Sequence, residues 1–218
     1  YTAAITLANS PGRALTLLDQ MRAHGVEPDL ISRNAAIAAC ARSRAWVPAL
    51  RLLAEMERDG PPPNVRSYSA AISACARKGE WERALRVLDG MRTRGVEPCV
   101  VVYNSAIASL AKAGQWARSL RMMDEMRSRG VQPDVITYNT ALDGLARAGE
   151  CETALELLDE MVGAGGGVEP GVTAYCCAAD ACARAGEWAL VAGLFHDMRR
   201  SGGVQPDVEV YNVLLRAC

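Results

Sequence analysis

The sequence predicts an all-α fold, a right-handed α-solenoid of stacked antiparallel helical hairpins in about six repeats of 35 residues, and three observations carry it. Methionines recur at Met21, Met56, Met91, Met126 and Met161 in steps of 35 residues, with Met198 following after 37. Prolines Pro28, Pro63, Pro98, Pro133, Pro170 and Pro206 keep the same phase. Inside each period, apolar residues recur at helical spacing on both sides of a breaking residue, usually glycine.

Ending each unit just after its proline gives a shortened unit 1–29, five full units at 30–64, 65–99, 100–134, 135–171 and 172–207, and a fragment 208–218. Together they form a single array. Tyr1 falls in mid-motif, so a preceding segment is expected. The first unit is about three residues short between Ile5 and Ala14, which predicts a tightened turn between its helices. The extra glycines at 163–167 and 202–203 belong in turns, where added length is tolerated.

Within the unit 100–134, VVVYNSAIASLAKA and QWARSLRMMDEMRSR flank Gly114. Tyr103, Ile107, Leu110 and Ala113 fall on one stripe of the first helix. Leu120, Met123 and Met126 recur at three-residue steps on the second. Gly130 ends that helix, Pro133 bars its continuation, and Asp134 caps the next one. Trp46, Trp81, Trp116 and Trp188 start second helices at one phase, and are read as packing residues between hairpins.

Half of the residues are apolar and 22% charged, so the chain has the composition of a folded domain. A formal net charge of −1 excludes a polycation that grips nucleic acid by bulk charge, so any such site must come from local charge segregation. The eight cysteines, in an Ala-rich chain without a recognisable signal peptide, suit a reducing compartment better than a disulfide scaffold. No apolar run reaches the length of a membrane helix.

The first helix carries a second stripe opposite the tyrosine stripe. At 100° per residue Ile31, Asn34, Ala38 and Arg42 share one side, as do Val101, Asn104, Ala108 and Lys112, and Ile136, Asn139, Asp143 and Arg147. Asparagine beyond the first turn disfavours helix, because its amide competes for backbone hydrogen bonds. Its recurrence at Asn34, Asn104, Asn139 and Asn212, with Thr2, Ser69 and Cys176 at that phase elsewhere, therefore needs a reason. A base edge both donates and accepts, and an amide matches it where a hydroxyl matches differently. Solvation of a polar face is the plainer alternative.

The closing residues of the units are Asp29, Asn64, Cys99, Asp134, Gly171 and Asp207, where helix capping and recognition both have a claim. Arg42, Arg77, Lys112, Arg147 and Arg184 make every full unit basic near the end of its first helix. Such cations complement the helix dipole and also suit phosphate. Acids Glu55, Asp89, Asp124, Asp159 and Asp197 lie near the methionine of the second helix, so the charges are expected to be sorted onto different helices.

These residues resemble the pentatricopeptide repeat family along essentially the whole chain, with VITYNTALDGLARAGECETALELLDEM at 135–161 very close to its consensus. The Trp-Leu-Gly-Tyr landmarks of tetratricopeptide repeats are absent. The resemblance implies binding of single-stranded RNA at one base per repeat, read jointly by the residue after the tyrosine position and the last residue of the unit. It implies guanine for Thr2 with Asp29, a pyrimidine, cytosine by preference, for Asn34 with Asn64, and uracil for Asn104 with Asp134. Ser69 with Cys99, Asn139 with Gly171 and Cys176 with Asp207 depart from the usual pairs, leaving a purine bias for Ser69 and a pyrimidine bias for Asn139. Asn212 begins a further pair. The resemblance further implies that Ile31, Val101 and Ile136 wedge between bases, where Arg66, Thr173 and Glu209 do not fit. It makes the basic row Arg42, Arg77, Lys112, Arg147 and Arg184 the phosphate contact, and implies a role in RNA processing in a mitochondrion or chloroplast, alongside other RNA-processing proteins.

No catalytic centre, cofactor, metal, membrane or small-molecule substrate is expected. His-x-Glu and Cys-x-x-Cys, which a zinc deaminase needs, do not occur. His24 and His196 are too sparse for a site, and Cys40, Cys75 and Cys182 share a core-facing phase that suits small buried residues. The adjacent Cys176 and Cys177 suit neither a metal clamp nor a redox pair. The glycines around Gly165 follow a helix rather than open one, unlike a phosphate loop. Two other readings stay open: a protein-interaction solenoid, and the RNA-targeting array of a larger enzyme.

Overall fold

The structure, a computed structural model, describes residues 1–8, 10–163 and 168–200, without the side chains of Arg199 and Arg200. The described residues form twelve helices and no strand. They are α1 (Thr2–Thr6), α2 (Pro11–Ala23), α3 (Leu30–Arg42), α4 (Trp46–Asp59), α5 (Val65–Lys78), α6 (Trp81–Thr93), α7 (Val100–Lys112), α8 (Trp116–Ser128), α9 (Val135–Ala148), α10 (Cys151–Gly163), α11 (Val172–Ala185) and α12 (Trp188–Arg200). They group into two compact units, Tyr1–Ser109 and Leu110–Cys218, whose boundary falls inside α7.

In the first unit α1 packs on α3 and α3 on α5, so first helices form one continuous layer. The second helices α2 and α4 each lie against their own first helix and against the next one. The second unit repeats the scheme, with α9 on α11 and α10 against both. Small residues make the close layer possible. Ala36, Ala71 and Ala106 are fully buried, beside Ile37, Ile72 and Ile107, and Leu88 and Met91 fill the layer below. Burying each large apolar side chain stabilises the fold by roughly 1.5–3 kcal/mol.

Helix ends have local causes. At the end of α5, Gly79 takes a left-handed φ of 83°, so that its N–H and that of Glu80 bond to the carbonyls of Ala76 and Cys75. Arg44 holds the same place after α3 with φ 57°, which disfavours an L-residue. At the opposite ends, Asp29, Asn64 and Asp134 cap α3, α5 and α9 as the sequence predicts.

Several expectations are refined. The missing residues of the first unit come out of the helix itself, since α1 spans only Thr2–Thr6. Trp46 does pack between hairpins, stacked under the Arg83 guanidinium at 4.1 Å, but it is only half-buried, and Trp188 is 49% exposed. Cys40 and Cys75 are buried thiols as expected, whereas Cys182 is not free: its sulfur is bonded to Cys151, joining α11 to α10. Cys151 takes the place that tryptophan holds in four other units, and this brings it beside α11. The charges are incompletely sorted, because α9 and α11 carry Asp143 and Asp180 among their own basic residues.

The tyrosine stripe also does more than pack. The Tyr68 hydroxyl donates to Glu57 Oε1 at 2.9 Å, the Tyr138 hydroxyl donates to Glu160 Oε1 at 3.0 Å, and Arg92 Nη2 donates to the Tyr103 hydroxyl at 3.4 Å. The Tyr68 and Tyr103 bonds tie a first helix to the hairpin before it, and the Tyr138 bond ties α9 to α10 of its own hairpin. Burial and the Glu57 carboxylate push the Tyr68 phenol up to about 12. Arg33 replaces tyrosine in α3 and, although buried, donates from Nε to the Pro28 carbonyl at 3.2 Å.

Candidate nucleic-acid interface

The residues singled out on the second stripe stay out of the core. Thr2, Asn34, Ser69, Asn104, Asn139 and Cys176 are all half-buried, each one turn or less from a fully buried neighbour. Ile31, Val101 and Ile136 are 65%, 60% and 62% exposed, at one phase of three helices. Leaving a large aliphatic side chain in water forgoes the burial that drives folding, and here that recurs at a single register.

The structure brings Asn34 and Asn64 together across 30 residues of sequence. Asn64 Oδ1 caps α5 by accepting from the backbone N–H groups of Arg66 at 3.0 Å and Ser67 at 3.1 Å. Because that oxygen is fixed as an acceptor, the Asn34 atom facing it at 3.4 Å is the donor Nδ2. Asn34 Oδ1 then accepts from the Ser67 hydroxyl at 2.6 Å. One oxygen per amide is thus consumed inside the protein, and what remains for a ligand is N–H.

Asp29 is held differently. Its Oδ1 accepts from Ser32 N at 2.8 Å and Ser32 Oγ at 2.6 Å, and these bonds keep its carboxyl below the usual carboxylate range. These bonds favour the ionised form, so the carboxyl stands as a charged acceptor. Asp134 likewise accepts from the Thr137 N–H and hydroxyl, both at 2.8 Å. Gly171 caps α11 with no side chain, and Asn139 Oδ1 is buried without a hydrogen-bond partner.

Ser69 and Cys99 both line a recess of about 430 Å³ in the first unit, with Arg42, Arg66, Arg77 and Val101. Arg77 and Lys112 are exposed. Other members of the basic row have partners: Arg42 Nη2 donates to the carbonyls of Thr6 at 3.3 Å and Ala8 at 3.1 Å, finishing the shortened α1. Arg147 and Arg184 donate from Nε to Asp143 and Asp180, both at 3.0 Å. Asp207 and Asn212 lie outside the described residues.

Sequence reasoning passed over Ser32, Ser67 and Thr137. The signal was present, since a hydroxyl three residues after Asp or Asn at a helix start makes a capping box. Nothing local, however, shows that Ser67 reaches Asn34. Among the described residues no group of three or more His, Cys, Asp or Glu is placed to hold a metal ion, and no helix is long and apolar enough to cross a membrane.

A stack of helical hairpins with a half-buried polar position recurring on its first helices defines an all-α solenoid. The chain belongs to the pentatricopeptide repeat family: the PPR repeat family model matches residues 98–147 and 133–184, the pentatricopeptide repeat domain model 16–78 and 51–112, and the PPR repeat model 173–203. The crystal structure of the maize pentatricopeptide repeat protein PPR10 is similar at 33% identity and a TM-score of 0.78, over 99% of this chain and 31% of that one. A cysteine-to-serine variant of PPR10 in complex with an 18-nt PSAJ RNA element matches at 25% identity and a TM-score of 0.73, over 98% and 35%. The PPR domain of Arabidopsis thaliana protein-only RNase P 1 in complex with tRNA shares the fold, with a TM-score of 0.69 at 18% identity, over 83% and 94%. The chain therefore spans about a third of the length of the maize structures. No curated protein sequence matches it.

Proposed function

We propose that this chain binds single-stranded RNA, reading about one base per repeat with the polar pair that joins a first helix to the start of the next. The observation that carries this reading is the hydrogen-bonded pair Asn34 and Asn64, set beside the exposed Ile31. Family membership supports it, as does the similarity to a maize protein solved with RNA.

The chemistry of two of the pairs in the first unit, Asn34 with Asn64 and Thr2 with Asp29, sorts bases. Asn34 and Asn64 offer donors, which suit the adjacent N3 and O2 acceptors of cytosine. In the same repeat as Thr2, Asp29 offers a charged acceptor, which suits the N1–H and N2–H donors of guanine. Exposed Ile31 supplies an apolar surface for the face of a base, and Arg77 a cation for phosphate. A role in mitochondrial or chloroplast RNA processing, carried out by binding rather than catalysis, is part of the same proposal.

The test is fluorescence-anisotropy titration of short single-stranded RNAs that contain the series G, C, purine, U and are changed one base at a time. Tighter binding of cytosine than of guanine opposite the unit 30–64, and loss of that preference in Asn34→Ala, is expected. Equal affinity for every sequence, or for matched DNA, sinks the reading in favour of a protein-interaction scaffold.

A further inference from the structure

In the 30–64 unit a third side chain stands behind the polar pair, and it belongs to the next hairpin. Ser67 is fully buried on the first turn of α5. Its Oγ accepts from Asn64 N at 3.1 Å, and approaches Asn34 Oδ1 at 2.6 Å and Asn64 Oδ1 at 3.2 Å. A hydroxyl has one proton to give, and the shorter contact receives it. The reverse arrangement of the Asn34 amide would set its oxygen against Asn64 Oδ1, which already accepts from two backbone N–H groups. Two carbonyl oxygens in contact repel, so cap, hydroxyl and amide are locked in one sense.

The same register elsewhere shows what happens without the hydroxyl. The position of Ser67 is held by Ser32 and Thr137 after units that end in Asp29 and Asp134, but by Ala174 after the unit that ends in Gly171. An alanine has nothing to donate, and in that unit Asn139 Oδ1 is buried without a hydrogen-bond partner. A buried amide oxygen left unpaired loses the bond that would fix its orientation.

We infer that Ser67 is a specificity-determining positioning residue for the pair Asn34 and Asn64: it holds the Asn34 oxygen inward, so the pair shows only N–H donors and prefers cytosine to uracil, whose N3 carries a proton. The inference rests on the RNA-reading proposal. It adds that base preference is set by three side chains, and that a repeat without the third, such as the one carrying Asn139, distinguishes the two pyrimidines poorly.

The experiment measures the ratio of Kd values for two RNAs that differ only by cytosine or uracil opposite the unit 30–64, for the wild-type chain, Ser67→Ala and Ser67→Thr. Ser67→Ala is expected to lower the cytosine preference by about fivefold, the effect of losing one oriented hydrogen bond. Ser67→Thr, which keeps the hydroxyl that Thr137 uses naturally, is expected to restore it. In the opposite direction, Ala174→Ser is expected to raise the cytosine preference opposite the Asn139 repeat, and this arm decides the matter if Ser67→Ala fails to fold by circular dichroism. An unchanged ratio in Ser67→Ala, with the wild type still selective, overturns the inference and leaves RNA reading standing. A wild type that ignores the base at this position overturns both.

Discussion

Gly144 on α9 faces Ala111 so closely that a Cβ built on the glycine would stand 2.9 Å from the Ala111 Cβ and 3.2 Å from its Cα. Neither atom belongs to a flexible side chain, so one helix would have to move. Alanine normally favours a helix over glycine by about 1 kcal/mol, but overpacking of this kind costs about 1–3 kcal/mol. Gly144→Ala is therefore expected to destabilise the second unit by about 1 kcal/mol in urea unfolding. Gly90, mid-helix in α6 with open space at its Cβ position, is the control. Gly90→Ala is expected to stabilise by about 0.5–1 kcal/mol. A stabilising Gly144→Ala would refute the contact.

A second prediction concerns the backbone. Arg44 holds a left-handed φ of 57° where the corresponding turns use Gly79, Gly149 and Gly186. The conformation costs a residue with a Cβ about 1–2 kcal/mol, partly offset by the extra freedom glycine has when unfolded. Arg44→Gly should raise stability by about 0.5–1 kcal/mol, read as a higher urea midpoint with an unchanged slope.

The two kinds of arginine in the basic row should differ in their salt response. Arg77 is exposed on the recess, while Arg147 is already bonded to Asp143. Arg77→Gln is expected to weaken RNA binding whatever the sequence, and to lower the slope of log K against log salt by about 0.7, the value for one single-strand phosphate. Arg147→Gln should lower it by less. Equal slopes for the two variants would remove the distinction.

Acid should loosen the start of α3. The Asp29 carboxyl is held below its ordinary value of 3.8 by its bonds from Ser32, so it contributes stability above that value and loses it as pH falls toward the lower folded one. A carboxyl titration by NMR should show Asp29 protonating below 3.8. Asp29→Asn, which caps as Asn64 does, should flatten that part of the acid limb. An ordinary or raised Asp29 titration would contradict the geometry.

What was legible in the sequence was whatever repeats locally. The 35-residue period, the caps at Asp29 and Asn64 and the exposed Ile31 stripe all follow from residues within one or two helical turns of each other. What was not legible joins residues about 30 apart: Ser67 with Asn34 at a separation of 33, and Cys151 with Cys182 at 31. Periodicity places such residues on faces, but only the packing of hairpins decides which faces meet. Asp143 and Asp180 were visible in the sequence as well, yet their claim on Arg147 and Arg184 depends on rotamers rather than on spacing.

Because Asn64 closes one repeat and opens α5, with Ser67 three residues further on, the unit of folding and the proposed unit of reading are out of step. A hairpin copied or transplanted between its turn glycines arrives with half a pocket and borrows the other half from whatever follows. On the proposed reading, base preference is inherited by junctions rather than by modules. An exchange that preserves it has to be cut inside the first turn of the downstream helix, after Ser67.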